Sequence, residues 1–100
     1  MIEPLAGEIY QHFKGKDKKY RIIAIARDCD NHEKKVVVYE QLYEGNGFPV
    51  GQRWTRALED FAGFKIFDKD EQIGEKLFKK GERVKRFTLF SDAEGQQVVN

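Results

Sequence analysis

A chain of 100 residues that is 40% hydrophobic, 13% aromatic and 35% charged has the apolar surface for one core, which excludes wholesale disorder and leaves little room for a second domain. Lys plus Arg number 18 and Asp plus Glu 17, so the net charge of +1 gives no global pull toward nucleic acid or an anionic membrane. The one cysteine, Cys29, excludes an internal disulfide and a Cys-based zinc site; no apolar run approaches the ~20 residues of a membrane helix, and the opening MIEPLAGEIY has no signal-peptide pattern, so the expected location is the cytoplasm.

Gly7 opens the first predicted strand, Glu8 to Lys14, with Ile9 and Phe13 on one face and Tyr10, His12 and Lys14 on the other. If Tyr10 and His12 point inward, Ile9 and Phe13 need cover; the preferred reading leaves Tyr10 and His12 partly exposed at a barrel rim. A polar turn over residues 15–18 leads into Lys19 to Arg27, a strand rich in isoleucine. Asp28 to Lys34 is a polar loop. Lys35 to Tyr43 is the clearest strand, because Val36, Val37 and Val38 are consecutive β-branched residues that disfavour helix.

Glu44 to Gln52 is turn chemistry, with Gly45-Asn46-Gly47 and Pro49-Val50-Gly51. Arg53 to Arg56 is a short strand that puts Trp54 and Arg56 on one face. Ala57 to Phe61 suits a single 3₁₀ turn. Phe64 to Asp68 and Lys85 to Phe90 are the last predicted strands. Between them, Ile73 and Leu77 have helical spacing, but Gly74 weakens a helix there by ~1 kcal/mol. Ser91 to Asn100 reads as a frayed tail. The sum is an all-β, antiparallel domain of about five to six strands over residues 1–90, a small barrel or sandwich, with residues 91–100 as a flexible tail.

Both faces of the second and third strands are apolar: Ile22 and Ala24 against Ile23 and Ile25, Val36 and Val38 against Val37. A sheet with one wet face should alternate, so something covers the outer face. The C-terminal third, with Phe64, Ile66, Phe67, Leu77, Phe78, Phe87, Leu89 and Phe90, is the expected cover; a second copy of the chain in a homodimer is the other. Truncation after Phe61 is therefore expected to unfold the domain.

Gly7-x-x-Tyr10-x-His12-Phe13-Lys14-Gly15, Tyr20-Arg21, Ala24-x-Ala26-Arg27, Val37-Val38-Tyr39-x-x-Leu42-Tyr43 and Trp54-x-Arg56-x-Leu58-x-x-Phe61 together resemble the bacterial family catalogued as domain of unknown function 1653. The likeness runs from Gly7 to Phe61, and Arg86-Phe87 extends it to the family's closing strand. Ala57 stands where that family usually has proline. The resemblance implies a small SH3-like barrel and no activity.

Tyr10, His12, Tyr39, Trp54 and Arg56, with Arg27, form the first candidate ligand-binding set. Tyrosine and tryptophan offer flat apolar faces with a polar handle, arginine clamps a carboxylate or phosphate through two hydrogen bonds, and histidine exchanges a proton near neutral pH. Such a set suits a planar or anionic ligand or a peptide; the competing reading is that the rings fill the core and Arg56 satisfies backbone carbonyls. Lys76, Lys79, Lys80, Arg83, Lys85 and Arg86 form a basic stretch that could bind nucleic acid, or could be a solvated, edge-protecting run.

Asp28-Cys29-Asp30-Asn31-His32-Glu33 fails as a calcium loop, since Glu33 and Tyr39 occupy the positions that need glycine and glutamate; it reads as a hydrated turn, with no metal expected. Flanking carboxylates would raise the Cys29 thiol pKa, the wrong direction for a nucleophile. No P-loop, dinucleotide fingerprint or serine nucleophile motif is present, and no cofactor is implied. The favoured function is a non-enzymatic binding module; the alternatives are a nucleic-acid module using residues 76–86, and an enzyme using His12 with Arg56 holding an anion.

Overall fold

In the computed structural model, which describes residues 3–98, the chain runs through β1 (Ile9–His12), β2 (Lys19–Arg27), β3 (Lys35–Gln41) and β4 (Arg53–Ala57). A helical turn, α1 (Leu58–Phe61), follows, then β5 (Phe64–Ile66), β6 (Glu71–Ile73), β7 (Lys76–Phe78), β8 (Arg83–Lys85) and β9 (Phe87–Ser91). Met1 and Ile2 of the expected domain, and Val99 and Asn100 of the expected tail, lie outside the described residues. The fold is all-β and antiparallel. Its main sheet has the order β4-β3-β2-β1-β9, and two-stranded ribbons pair β5 with β8 and β6 with β7. Among the described residues no helix is long and apolar enough to cross a membrane.

The double apolar face of β2 has a local cause. Ile22 pairs with Tyr39, but the next pairs are Ala24 with Val38 and Ile25 with Val37, so Ile23 is an extra residue at a bulge. The bulge shifts the alternation by one, and Ile22 and Ile25 both join the inner core despite their odd spacing. That core consists of Ile22, Val37, Tyr39, Leu58, Phe61 and Phe87, with Tyr10, Tyr20, Ile25 and Trp54 packed against it. Phe61 and Phe87 stack face to face at 4.1 Å between centroids, which ties α1 to the C-terminal strand.

The C-terminal third does not form the expected outer cover. Phe87 lies in the inner core, and Phe67 and Phe78 stack on each other at 4.6 Å. Phe13, at the end of β1, meets both at 6.1 Å, so these rings cover the exit of the first hairpin. Phe64, Ile66 and Leu77 remain exposed, Phe90 lies under the Lys19 ammonium at 4.0 Å, and Ile23, Val36 and Val38 stay half-buried.

The structure differs from the expectation in local detail and settles the segment left open between residues 70 and 80. Leu58–Phe61 is an α turn rather than a 3₁₀ turn, closed by the Ala62 N–H donating to the Leu58 carbonyl at 2.9 Å; the burial of Leu58 and Phe61 holds so short a nucleus. The segment with helical spacing of Ile73 and Leu77 is the β6–β7 hairpin, and Gly74 is its turn, with φ +60. The last predicted strand is divided at Arg86, where the chain leaves β5 for a new partner, β1. Ser91, assigned above to the tail, ends β9 and is buried; beyond it the Val98 N–H donates to the Phe90 carbonyl at 2.8 Å.

Candidate functional site

Alternation along the sheet delivers one row of side chains to a common opening. Tyr39 pairs with Trp54, and Val37 with Arg56, so Trp54 and Arg56 share the inner face with Tyr39 and Gln41. Tyr20 lies opposite Gln41, and His12 lies opposite Phe87. Three depressions open there. One, of about 220 Å³, is walled by Tyr20, Tyr39, Asn46, Phe48, Trp54 and Arg56. A second, of about 290 Å³, shares Arg56 and adds His12, Lys14, Lys65, Glu71 and Arg86. The third, of about 230 Å³, joins the other two through His12, Lys14, Tyr20 and Asn46, and brings in Lys18 and Tyr43. Sharing these side chains as common walls, the three adjoin one another along one face as an interrupted groove.

Buried Gln41 builds the aromatic end. Its side-chain oxygen accepts the Trp54 indole N–H at 3.2 Å, while its amide nitrogen donates to the Tyr43 carbonyl at 2.9 Å and reaches those of Phe48 and Gly45 at 3.3 and 3.4 Å. One amide therefore pins both the indole and the 43–48 loop, whose Phe48 ring meets Trp54 edge-on at 4.8 Å. The Tyr20 and Tyr43 hydroxyls share a hydrogen bond of 2.5 Å, and burial, then that bond, raises the Tyr20 pKa, keeping the phenol protonated.

The other end is cationic. Burial, then Lys14, Arg56, Lys18 and Arg86, push the His12 pKa down to about 4, so the ring is neutral at neutral pH. Its Nδ1 accepts the Lys14 backbone N–H at 3.1 Å, which places the proton of the neutral ring on Nε2 as a donor. Arg56 is half-buried, with its guanidinium carbon 6.0 Å from the centroid of Phe87. Among the described residues its side chain has no carboxylate partner and donates no hydrogen bond, whereas the Arg86 side chain donates to the Asp60 carbonyl at 3.3 Å.

Of the predicted ligand set, His12, Tyr39, Trp54 and Arg56 converge. Tyr10 does not: it packs on Phe61 at 5.3 Å, donates to Glu8 at 3.3 Å and lines a separate hollow with Pro4 and Lys85, its pKa pushed up to about 12 by burial and Glu8. Arg27 is remote, donating to the His32 carbonyl at 2.6 Å. The basic stretch disperses. Lys79 pairs with Asp70 at 3.8 Å, Lys76 and Arg83 lie over Phe78 and Phe64, and Lys80 is fixed through its backbone N–H to Asp70. Lys85 borders the Tyr10 hollow, and Arg86 reaches the groove.

Tyr20, Gln41, Tyr43, Asn46 and Phe48 are groove residues outside the predicted ligand set. The alternation of β3 places Gln41 in line with Val37 and Tyr39, a polar residue on a buried row, which was a legible signal. In the 28–33 loop, the carboxylates of Asp28 and Asp30 and the Cys29 thiol lie within 4.8 Å of one another. Asp28 Oδ1 is occupied in closing the turn, accepting from the Asp30 and Asn31 N–H groups at 2.8 and 3.2 Å.

Fold and groove together define a small all-β domain with an aromatic, cation-lined cleft on the inner face of its main sheet. The family described as "Protein of unknown function (DUF1653)" matches residues 8–89, and the chain belongs to it. No curated protein and no solved structure matches the chain.

Proposed function

We propose that the chain is a non-enzymatic binding module whose groove takes a planar, anionic ligand. The observation that carries this reading is Arg56: a half-buried guanidinium beside aromatic rings, without an acceptor among the described residues. Leaving a charge half-desolvated and unpaired costs stability, and its forked donors suit a carboxylate or phosphate from outside. Trp54, Phe48 and Tyr20 supply the ring faces, and neutral His12 supplies an N–H. Proton transfer by His12 is the weaker reading, although it shares a depression with Arg56, because a pKa of about 4 makes a poor base at neutral pH. The strand order β4-β3-β2-β1-β9, with a helical turn after β4, accords with the SH3-like arrangement that the family resemblance implies. The exposed thiol of Cys29 accords with a cytoplasmic location.

Trp54 is the chain's only tryptophan, so its emission reports the groove. Uridine monophosphate is expected to quench or shift that emission at lower concentration than either uridine or inorganic phosphate alone. No response to any of the three at millimolar concentration overturns the reading.

A further inference from the structure

We infer that the occupant of this groove is a single-stranded nucleic acid lying across β4, β3, β2 and β1; this rests on the planar-anion reading and narrows it. The first argument is length. Trp54, Tyr39, Tyr20 and His12 sit on four successive strands. Trp54 is opposite Tyr39, but Tyr20 and then His12 are each displaced two residues further along the strands, so the row is diagonal; at ~4.8 Å between strands and ~3.4 Å per residue it spans ~20 Å along the sheet. With stacked nucleotides rising ~3.4 Å each, that is room for roughly six, and a mononucleotide fills only one end.

The second argument is the order of chemistries. Rings occupy one end, at Trp54 and Phe48, and recur at Tyr20 and Tyr43. Arg56 lies between the aromatic depression and the cationic one, and Lys14, Lys18 and Lys65 continue along the wall. Among the described residues none of these four cations has an ion-pair partner, and Glu71 is the one carboxylate lining the three depressions. Lys18 and Lys65 rest over the Tyr43 and Phe67 rings at 5.1 and 5.7 Å, contacts that a phosphate would displace or share; rings for base faces interleaved with cations that lack a carboxylate is the arrangement that holds single strands with little regard to sequence. An acidic peptide would use the cations and leave the ring faces idle. The near-neutral total charge does not oppose this, since the balancing carboxylates lie elsewhere: Asp70 faces Lys79, Glu40 faces Arg21 and Glu3 faces Lys35.

The test uses the full chain and a labelled oligouridine of about eight nucleotides, read by anisotropy and by Trp54 emission. The expected result is binding at least ~10-fold tighter than uridine monophosphate, with quenching of Trp54. Affinity should fall with salt, and Lys14→Ala and Lys18→Ala should each reduce the log–log salt slope by about 0.7. Lys79→Ala, outside the groove, should leave the slope unchanged. Equal affinity for the monophosphate and the oligomer overturns the strand and leaves the planar-anion module standing. Equal affinity for a duplex or for a polyglutamate peptide also overturns it, because both lack accessible base faces. Silence toward every probe removes both readings.

Discussion

Arg56→Ala separates a ligand-directed arginine from a structural one. In the folded protein Arg56 has no carboxylate or hydrogen-bond acceptor among the described residues, and its guanidinium carbon is 6.0 Å from the Phe87 centroid, the outer limit for a useful cation–π contact. That contact contributes about 0.5 kcal/mol, and packing of the aliphatic stem adds a similar amount. Relief of the repulsion among Arg56 and its cationic neighbours offsets part of this. The net loss should be within about 1 kcal/mol, so Tm should fall by no more than roughly 4–8 °C for a domain of this size. Binding is different: a charge-assisted hydrogen bond to an anion is worth ~1.5–3 kcal/mol, so uridine monophosphate affinity should weaken roughly 10- to 150-fold. Arg56→Lys keeps the charge without the planar fork and should recover only part of that loss. Thermal melts and Trp54 titrations on the same samples read both quantities. A destabilisation above ~3 kcal/mol would show that Arg56 is a core pin, and unchanged affinity in a folded variant would show that it does not meet the ligand.

Other substitutions test the scaffold beneath the groove. Phe87→Ala removes a ring 2% exposed and stacked on Phe61, and should cost ~3–5 kcal/mol by urea denaturation, whereas exposed Thr88→Ala should stay within ~0.5 kcal/mol; similar costs for the two would contradict the stack's role. Gln41→Leu strands the Trp54 indole N–H and the Tyr43 carbonyl, while the Gly45 and Phe48 carbonyls keep each other's backbone N–H, and should cost ~1–3 kcal/mol while shifting Trp54 emission; an unaltered spectrum would rule out Gln41 as the pin. His12 has a folded pKa of about 4, below its ordinary 6.5, so the unfolded chain binds the extra proton first. Stability should therefore be full above pH 6.5 and decline as pH falls toward 4. His12→Gln should remove ~1 kcal/mol of that decline, a figure discounted for the ring's partial exposure, and parallel denaturation curves would refute the assignment.

The all-β class and the positions of β2, β3 and β4 were legible because they rest on near-neighbour chemistry. Three successive valines, an isoleucine-rich run and glycine-rich breaks act over a few residues, and β2 spans Lys19–Arg27 as its residues predict. The family was legible for a related reason, since spaced aromatics, glycines and arginines from Gly7 to Phe61, with Arg86-Phe87, form a linear pattern within the residues 8–89 that the family matches. That Trp54 and Arg56 share a face also followed from alternation alone.

Which residues meet across the fold was not legible. The bulge at Ile23 reverses the parity of half of β2, and nothing in a run of apolar residues marks where the extra one falls. Gly74 is a penalty in a helix and the natural corner of a hairpin, and only the pairing of β6 with β7 decides between them. Tyr10 and His12 share one face of β1, yet Phe61 takes the first into its packing and the second borders the groove. Composition and periodicity act locally along the chain and determine strands, turns and faces; register, and therefore the company each side chain keeps, is a property of paired strands remote in sequence, so only the tertiary structure could decide that His12, Tyr20, Trp54 and Arg56 share one opening.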